Sequence, residues 1–148
     1  MTTDPLWYDL RNSVYSREFV GAQDLLTANP NLVELRNSIG ETVLHFLAVE
    51  NDLEGVRWLH ARGFSLNTLN RFGEPMIFEV ATLGHKDLLL WLADQDADFS
   101  VVDRANRGIL AYLCKNRDEA RKRRGEEMAQ FLLDNLPRLA QGGGVSET

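Results

Sequence analysis

The sequence predicts an all-α solenoid of helix-turn-helix units joined by extended, hairpin-like loops. The first observation is an internal repeat, because the segment Asn37–Ala48 aligns with the later segment Asn70–Ala81 at an offset of 33 residues. The second is helix length: the apolar stripes fit helices of about ten residues, which are marginal in water unless neighbours cover them. The third is that the longest apolar run, Leu88–Ala93, is far shorter than the roughly 18–20 residues of a membrane span.

Composition narrows the class of protein. The 148 residues are 44% hydrophobic and 26% charged, which is typical of a folded soluble domain and excludes a disordered or collagen-like chain. The net charge of −6 argues against a general nucleic-acid binder. The single cysteine, Cys114, cannot form an internal disulfide, and the N-terminal residues lack the features of a secretory signal. We therefore expect a cytoplasmic monomer that does not contact membranes.

The repeat can be followed in both directions from its clearest copies. Applying the same offset once more places Asp103 over Asn70, and seven extra residues then precede the end of the third copy. Working backwards, residues 4–36 hold a degraded copy. We expect four units over residues 4–142 and a disordered tail at 143–148; the units are 4–36 (a degenerate N-terminal cap), 37–69, 70–102 and 103–142 (a C-terminal cap with the insertion).

Local signals predict where particular helices begin and end. Asp4 followed by Pro5 predicts the start of the first helix. Ser16 is the expected N-cap of a second helix that runs from about residue 17 to residue 28. In the insertion, Asn116 and Glu119 match a variant capping box, so the extra residues are predicted to lengthen the last outer helix by about two turns at its start.

Neighbouring layers are expected to bury each other's apolar faces. The residues predicted to pack in this way are Leu44, Leu47, Ala48, Val56, Trp58 and Leu59 in one layer, and Ile77, Val80, Ala81, Leu89, Trp91 and Leu92 in the next.

The segment Gly40-Glu-Thr42-Val-Leu44-His45-Phe-Leu-Ala48 resembles the Thr-Pro-Leu-His motif of the ankyrin repeat, and the offset from Asn37 to Asn70 equals the period of that family. The second copy keeps Gly73 and the Ala81-Thr-Leu-Gly84 step, but has Pro75 and Phe78 in place of Thr and His. The resemblance covers about residues 15–136. It implies a chain that recognises another protein through a concave surface of loop tips and first helices, with no catalysis and no cofactor.

The variable positions of the family can be carried over to this chain as predicted partner-binding residues. They are Ile39, Glu41, Val49, Arg71, Phe72, Glu74, Leu83, Arg104, Arg107 and Lys115. Several are apolar or aromatic and others are basic, so the expected partner has an apolar knob and an acidic patch. A stoichiometric inhibitor or a toxin-immunity protein would be one form of such a binder.

Other side chains could carry chemistry. His45, His60 and His85 show no metal-ligand spacing, so no metal site is predicted, and the resemblance implies structural roles for His45 and His85. Cys114 aligns with Ala48 and Ala81, so it is expected to be buried and inert; an enzyme that uses Cys114 or His60 is the rival hypothesis.

Two charged segments leave alternatives open. Asp94, Asp96 and Asp98 alternate like the acids of a calcium loop, but Phe99 and Ala105 occupy the places of its glycine and glutamate, so a structural loop is favoured. The basic run Arg121–Arg124 lies in the inserted segment 115–124. It is interpreted as a solvated helix start, with binding to nucleic acid or to an acidic partner as the alternative.

Overall fold

The computed structural model describes residues 2–95 and 97–140. Within these ranges the chain forms eight α-helices, two short 3-10 helices and no strand, which confirms the all-α prediction. The predicted tail at 143–148 lies outside the described residues. The α-helices are α1 (Pro5–Tyr15), α2 (Phe19–Ala28), α3 (Val43–Val49), α4 (Leu53–His60), α5 (Met76–Thr82), α6 (Lys86–Asp94), α7 (Ile109–Leu113) and α8 (Glu119–Asn135). The 3-10 helices are Pro30–Val33 and Pro137–Ala140.

The chain divides into two compact units, Met1–Phe72 and Gly73–Thr148. In the first unit α1 packs with α2, and α3 packs with α4. The second unit repeats this arrangement with α5 and α6, and with α7 and α8. Each pair is a helix-turn-helix, as predicted.

In the pairs α1–α2, α3–α4 and α5–α6, the tight turn between the helices is built around one residue with positive φ. In the pair α3–α4, this residue is Asn51 (φ 64°), whose N–H donates to the Ala48 carbonyl. In the pair α5–α6, it is Gly84 (φ 79°), whose N–H donates to the Ala81 carbonyl. Since Asn51 and Gly84 are separated by one full repeat, the turn follows the period of the sequence.

The first pair departs from this period by one position. The period places the left-handed residue at Glu18, but Arg17 has the positive φ (64°). Ser16 therefore closes α1 as its C-cap and does not begin the second helix. The predicted start near Arg17 was wrong, because a left-handed residue cannot continue a right-handed helix; α2 begins at Phe19.

An ion pair holds this first turn in place. The Arg17 guanidinium forms two hydrogen bonds to the Asp52 carboxylate, at 2.7 and 2.9 Å. The Asp52 side chain is only 5% exposed and also accepts the Gly55 N–H at the start of α4. Since hydrogen bonding to Asp52 stabilises the charged guanidinium, the pKa of Arg17 is raised. One buried carboxylate thus caps α4 and binds α1's terminal turn to it.

The predicted core residues are buried, with two exceptions. Trp58 and Trp91 are half-buried. The Trp58 ring stacks on Phe19 at 5.2 Å between centroids, and the Arg62 guanidinium lies 3.8 Å from the Trp58 ring centre. Both tryptophans are therefore only partly covered by their neighbours.

The inserted residues lengthen the last helix, as predicted. The α8 helix has 17 residues, against 8 in α4 and 9 in α6. Its N-cap is Asp118, whose carboxylate accepts the Arg121 N–H at 3.0 Å. The predicted capping box from Asn116 was therefore placed too early in the chain. Asp is among the strongest N-cap residues, and Asp118 is the one in position to cap the first turn.

Gly125 sets the distance between α7 and α8. A Cβ atom at this position would overlap the Leu113 carbonyl group, so only glycine fits the present packing. Gly21 in α2 gives the opposite case, because a Cβ there would have no neighbour within 4 Å.

These two glycines predict opposite effects of the same substitution. We expect Gly125→Ala to lower the free energy of unfolding by about 1–3 kcal/mol, since α8 must move away from α7. The Gly21→Ala control should raise it by about 0.5–1 kcal/mol, because alanine is the better helix former. Urea denaturation followed by circular dichroism measures both, and a Gly125→Ala variant as stable as the parent would contradict the close α7–α8 contact.

Candidate functional site

The loop that precedes each first helix is closed by a side chain at a fixed repeat position. The Asn37 side-chain oxygen accepts the N–H groups of Ile39 and Glu41, at 3.1 and 2.9 Å. Asn70 accepts the Phe72 N–H at 2.8 Å in the same way. Such Asx turns fix a loop tip locally, so the residues that the tip presents are held by their own backbone.

The same turn recurs in the second unit at Asp103. Its carboxylate accepts the N–H groups of Ala105 and Arg107, at 3.0 and 2.9 Å. Each closing side chain is followed, at a constant spacing, by a residue with positive φ, namely Gly40 (82°), Gly73 (78°) or Asn106 (62°). The two positions recur in the repeats that begin at Asn37, Asn70 and Asp103, whichever residue fills them.

Three of the predicted partner-binding residues lie together at loop tips of the first unit. The Arg71 N–H donates to the Ile39 carbonyl at 2.9 Å, and the Arg71 guanidinium lies 4.9 Å from the Phe72 ring centre. Ile39 is 39% exposed and Phe72 is 51% exposed. We call Ile39, Arg71 and Phe72 the tip cluster, an exposed apolar pair with a cation beside it.

Close backbone contacts keep the tip cluster rigid. A Cβ at Gly40 would meet the Arg71 backbone nitrogen at 2.5 Å, so these two loop tips lie against each other. Arg36 joins the same two loops, donating to the carbonyl oxygens of Gly40 and Leu69 at 2.7 and 3.0 Å. The exposed side chains of the cluster therefore project from an ordered base.

Arg104 has the place in the second unit that Arg71 has in the first. A Cβ at Gly73 would meet Arg104 side-chain atoms at 2.5 Å, at the same sequence separation as Gly40 and Arg71. The side chain of Arg104 thus covers a glycine turn and is exposed on its other side.

A groove in the second unit contains two further predicted residues, Leu83 and Lys115. It has a volume of about 380 Å³ and is formed by the ends of α5 and α7 and the start of α8. Its lining residues are Ala81, Thr82, Leu83, Tyr112, Leu113, Lys115, Asn116, Arg121, Arg124 and Gly125. We call it the α8 groove.

The α8 groove combines an apolar floor with a basic rim. Leu83 is 53% exposed, and the Lys115 ammonium lies 4.5 Å from the centre of the Tyr112 ring. Burial raises the pKa of Tyr112, and the charges of Glu74 and Glu79 raise it further. Tyr112 is therefore neutral at physiological pH and presents a hydroxyl rather than a negative charge.

A comparison with known protein families finds a similarity in the middle of the chain. Residues 44–93 match the family model described as ankyrin repeats (many copies). This match supports an ankyrin-repeat protein. The matched range spans α3 to α6, which include the helix pairs whose turns repeat most regularly. Ankyrin repeats are generally protein–protein interaction modules and are typically not catalytic.

Two residues of the ankyrin motif, Thr42 and His45, lie at the start of α3. The Thr42 hydroxyl caps α3 by accepting the His45 N–H at 3.1 Å. The corresponding N-caps are Pro75 in α5 and Gly108 in α7, neither with a side-chain cap. The α7 helix, which begins after glycine, is the shortest of the described α-helices at 5 residues.

Glu41 does not belong to the exposed surface. It was predicted to bind a partner, but it is 3% exposed, and one of its carboxylate oxygens lies 3.7 Å from His45 Nε2. The prediction was wrong because Glu41 follows the loop tip directly, where the chain turns inward to start α3. His45 is also fully buried, as expected for a structural histidine.

The other predicted partner-binding residues differ in how accessible they are. Val49 and Glu74 are half-buried. Arg107 is also half-buried, and its guanidinium pairs with Asp103 at 2.9 Å, so it supports the loop more than it presents a charge. Lys115 is exposed.

Cys114 is exposed, not buried as its alignment with Ala48 predicted. The reason is the early end of α7 at Leu113, which makes Cys114 the C-cap and removes it from the packed face. Partial burial raises the pKa of the thiol, and the nearby Glu126 raises it further. The thiol therefore lies mainly in its protonated, weakly nucleophilic form.

Asp98 and His60, two other residues considered as sites of chemistry, make local hydrogen bonds. Asp98 accepts the hydroxyl and the backbone N–H of Ser100, which lower the pKa of Asp98; Asp96 lies outside the described residues. His60 Nδ1 lies 3.3 Å from the Phe64 carbonyl at the end of α4. Both contacts are those of residues that shape loops.

Within the described ranges, no helix is long and apolar enough to cross a membrane.

Asp103 predicts a pH-dependent contribution to stability. Burial alone would raise its pKa, but hydrogen bonds from Arg107 and Ala105 and the charge of Arg107 together lower it. Because the folded-state pKa lies below the unfolded value of about 3.9, this stabilisation is present at neutral pH. It is lost as the pH falls through the lower, folded-state value.

Two variants at Asp103 distinguish the stability contributed by the Asx turn from that contributed by the ion pair with Arg107. Asp103→Asn keeps the accepting oxygen that Asn37 and Asn70 use, so it should cost under about 1 kcal/mol at pH 7, whereas Asp103→Ala should cost about 1–2 kcal/mol. In urea denaturation from about pH 3 to pH 7, the stability difference between parent and Asp103→Asn should shrink at acid pH. A difference independent of pH would contradict the charge contribution of the pair.

The position of Cys114 predicts its reactivity. The native chain should be alkylated by iodoacetamide at Cys114, because the residue is exposed. The rate at about pH 7.5 should be below that of free cysteine, because the raised pKa leaves less thiolate. Mass spectrometry against a Cys114→Ser control measures it, and a rate above that of free cysteine would instead favour a catalytic thiol.

Proposed function

We propose that this ankyrin-repeat chain is a non-catalytic binding protein whose tip cluster contacts a partner protein. The observation that carries the proposal is the exposed Phe72 ring beside the Arg71 guanidinium, both on a loop whose backbone is fixed by Asn70 and by the contact of Gly40 with Arg71. Aromatic residues and arginine are enriched among the residues that dominate binding energy. A preordered loop also loses little conformational entropy on binding.

We propose that the predicted residues contribute unequally. The main contacts are the exposed residues, which are Ile39, Arg71 and Phe72 in the first unit and Leu83, Arg104 and Lys115 in the second. Val49, Glu74 and Arg107 are half-buried and contribute less. A partner with an apolar side chain and nearby carboxylates would complement this set.

Stoichiometric binding supports a more specific hypothesis. A chain that presents rigid anchors without catalysis suits an inhibitor that blocks another protein's surface, such as a toxin-immunity protein. We place this activity in the cytoplasm, because the lone Cys114 suits a reducing compartment. We also propose that the chain acts as a monomer. Size-exclusion chromatography with light scattering tests the monomer.

Affinity capture from the native host tests the loop-tip contacts. Phe72→Ala and Arg104→Glu should each reduce recovery of the partner by at least about tenfold, as loss of an interface anchor does. The matched controls are Val20→Ala and Arg57→Glu, exposed residues of α2 and α4, which should leave recovery unchanged. Unchanged recovery with both tip variants, or equal losses in the controls, would contradict binding through the loop tips.

A further inference from the structure

The inserted residues at the start of α8 create a surface that the repeat pattern alone does not require. They extend the helix to 17 residues and place Arg121 and Arg124 on the rim of the α8 groove. These two residues and Gly125 lie at i, i+3 and i+4, which is one face of a helix. Lys122 and Arg123 belong to other faces and do not line the groove.

We propose that the α8 groove binds an acidic peptide segment of the partner, with one apolar side chain on the groove floor and carboxylates on its rim. This inference rests on the proposed function, because it assigns a second contact to the same partner protein. It names the chemistry of that contact and the residues that provide it.

The floor of the groove suits an aliphatic side chain. Leu83 is more than half exposed although it is a large apolar residue, and the Tyr112 ring and Leu113 lie beside it in the groove. At Gly125 the α8 backbone lies close against Leu113, since a Cβ there would overlap the Leu113 carbonyl group. The volume of about 380 Å³ lies in the range of about 300–1,000 Å³ that is typical of binding pockets.

The positive charge of the groove rim favours an acidic peptide over an uncharged apolar ligand. Lys115, Arg121 and Arg124 bring three positive charges to the rim, in a protein whose net charge is −6. Arg17 and Arg107 pair with buried aspartates, but the ion pairs found in residues 2–95 and 97–140 include none for the three rim residues. Carboxylates of a bound peptide would complement them, and arginine can bind a carboxylate through two hydrogen bonds.

The groove also favours a peptide over a nucleic acid. Phosphate backbones bind wherever positive charge is dense and need no apolar floor. The charges of Lys122 and Arg123 would then contribute as much as those of Arg121 and Arg124. Binding of an acidic peptide in the groove would depend on Arg121 and Arg124 more than on Lys122 and Arg123, because only Arg121 and Arg124 line the groove.

Fluorescence anisotropy with the full chain tests the proposal. The probe is a fluorescein-labelled peptide with a central leucine flanked on each side by two glutamates, and its comparison peptide has glutamines in place of the glutamates. We expect saturable binding of the acidic probe, and binding at least about tenfold weaker for the glutamine peptide, since rim pairing is lost.

A pair of double variants with equal charge change locates the site. Arg121→Glu with Arg124→Glu should weaken binding of the acidic probe by at least about tenfold, whereas Lys122→Glu with Arg123→Glu should weaken it less than about threefold through general electrostatics. Leu83→Ser should also weaken binding, because the apolar contact is lost. All five residues are exposed, and circular dichroism checks that each variant stays folded.

Several results would overturn the proposal. Equal losses in the two double variants would indicate unspecific attraction, and equal affinity for the glutamine peptide would remove the role of charge. Tighter binding of a fluorescein-labelled oligothymidine, weakened equally by both double variants, would indicate nucleic acid. No binding of the acidic probe, together with partner capture that depends on Phe72, would reject the groove and leave the proposed function standing.

Discussion

Short helices impose the constraint on which this structure depends. Apart from α8, the described α-helices have 5 to 11 residues, a length at which an isolated helix is marginal in water. Each must bury an apolar face against its neighbours, and within each unit the helices pack as successive pairs. The Arg17–Asp52 ion pair joins the first helix pair to the second, whereas the Leu113–Gly125 contact lies within the pair α7–α8 and depends on the absence of a side chain.

The same constraint accounts for the side-chain hydrogen bonds that close the loops. When helices are short, the connections between them must be as well determined as the helices. The Asx turns at Asn37, Asn70 and Asp103 fulfil this need with one side chain per loop. Residues that face solvent at the tips, such as Phe72, can then serve recognition, because their side chains have no part in closing the turn.

The lengthened α8 shows how a repeat fold acquires a new surface without a new element. The extra turns do not disturb the contact with α7, since Gly125 allows the two backbones to approach. They extend the helix beyond that contact and bring two arginines beside an exposed leucine. The inserted residues thus add positive charge beside an exposed apolar side chain.

The sequence by itself determined the helical class, the repeat period, most core positions and the lengthening of α8, because these follow from patterns that are local in the chain. It also marked Ile39 and Phe72 as variable sites, since the repeat does not require them. The tertiary structure decided that Glu41 is buried, that Cys114 faces solvent, and that Leu83 lies beside the arginines of α8. Each of these depends on where a helix ends and on what packs against it, and packing alone determines which residues of different repeats meet.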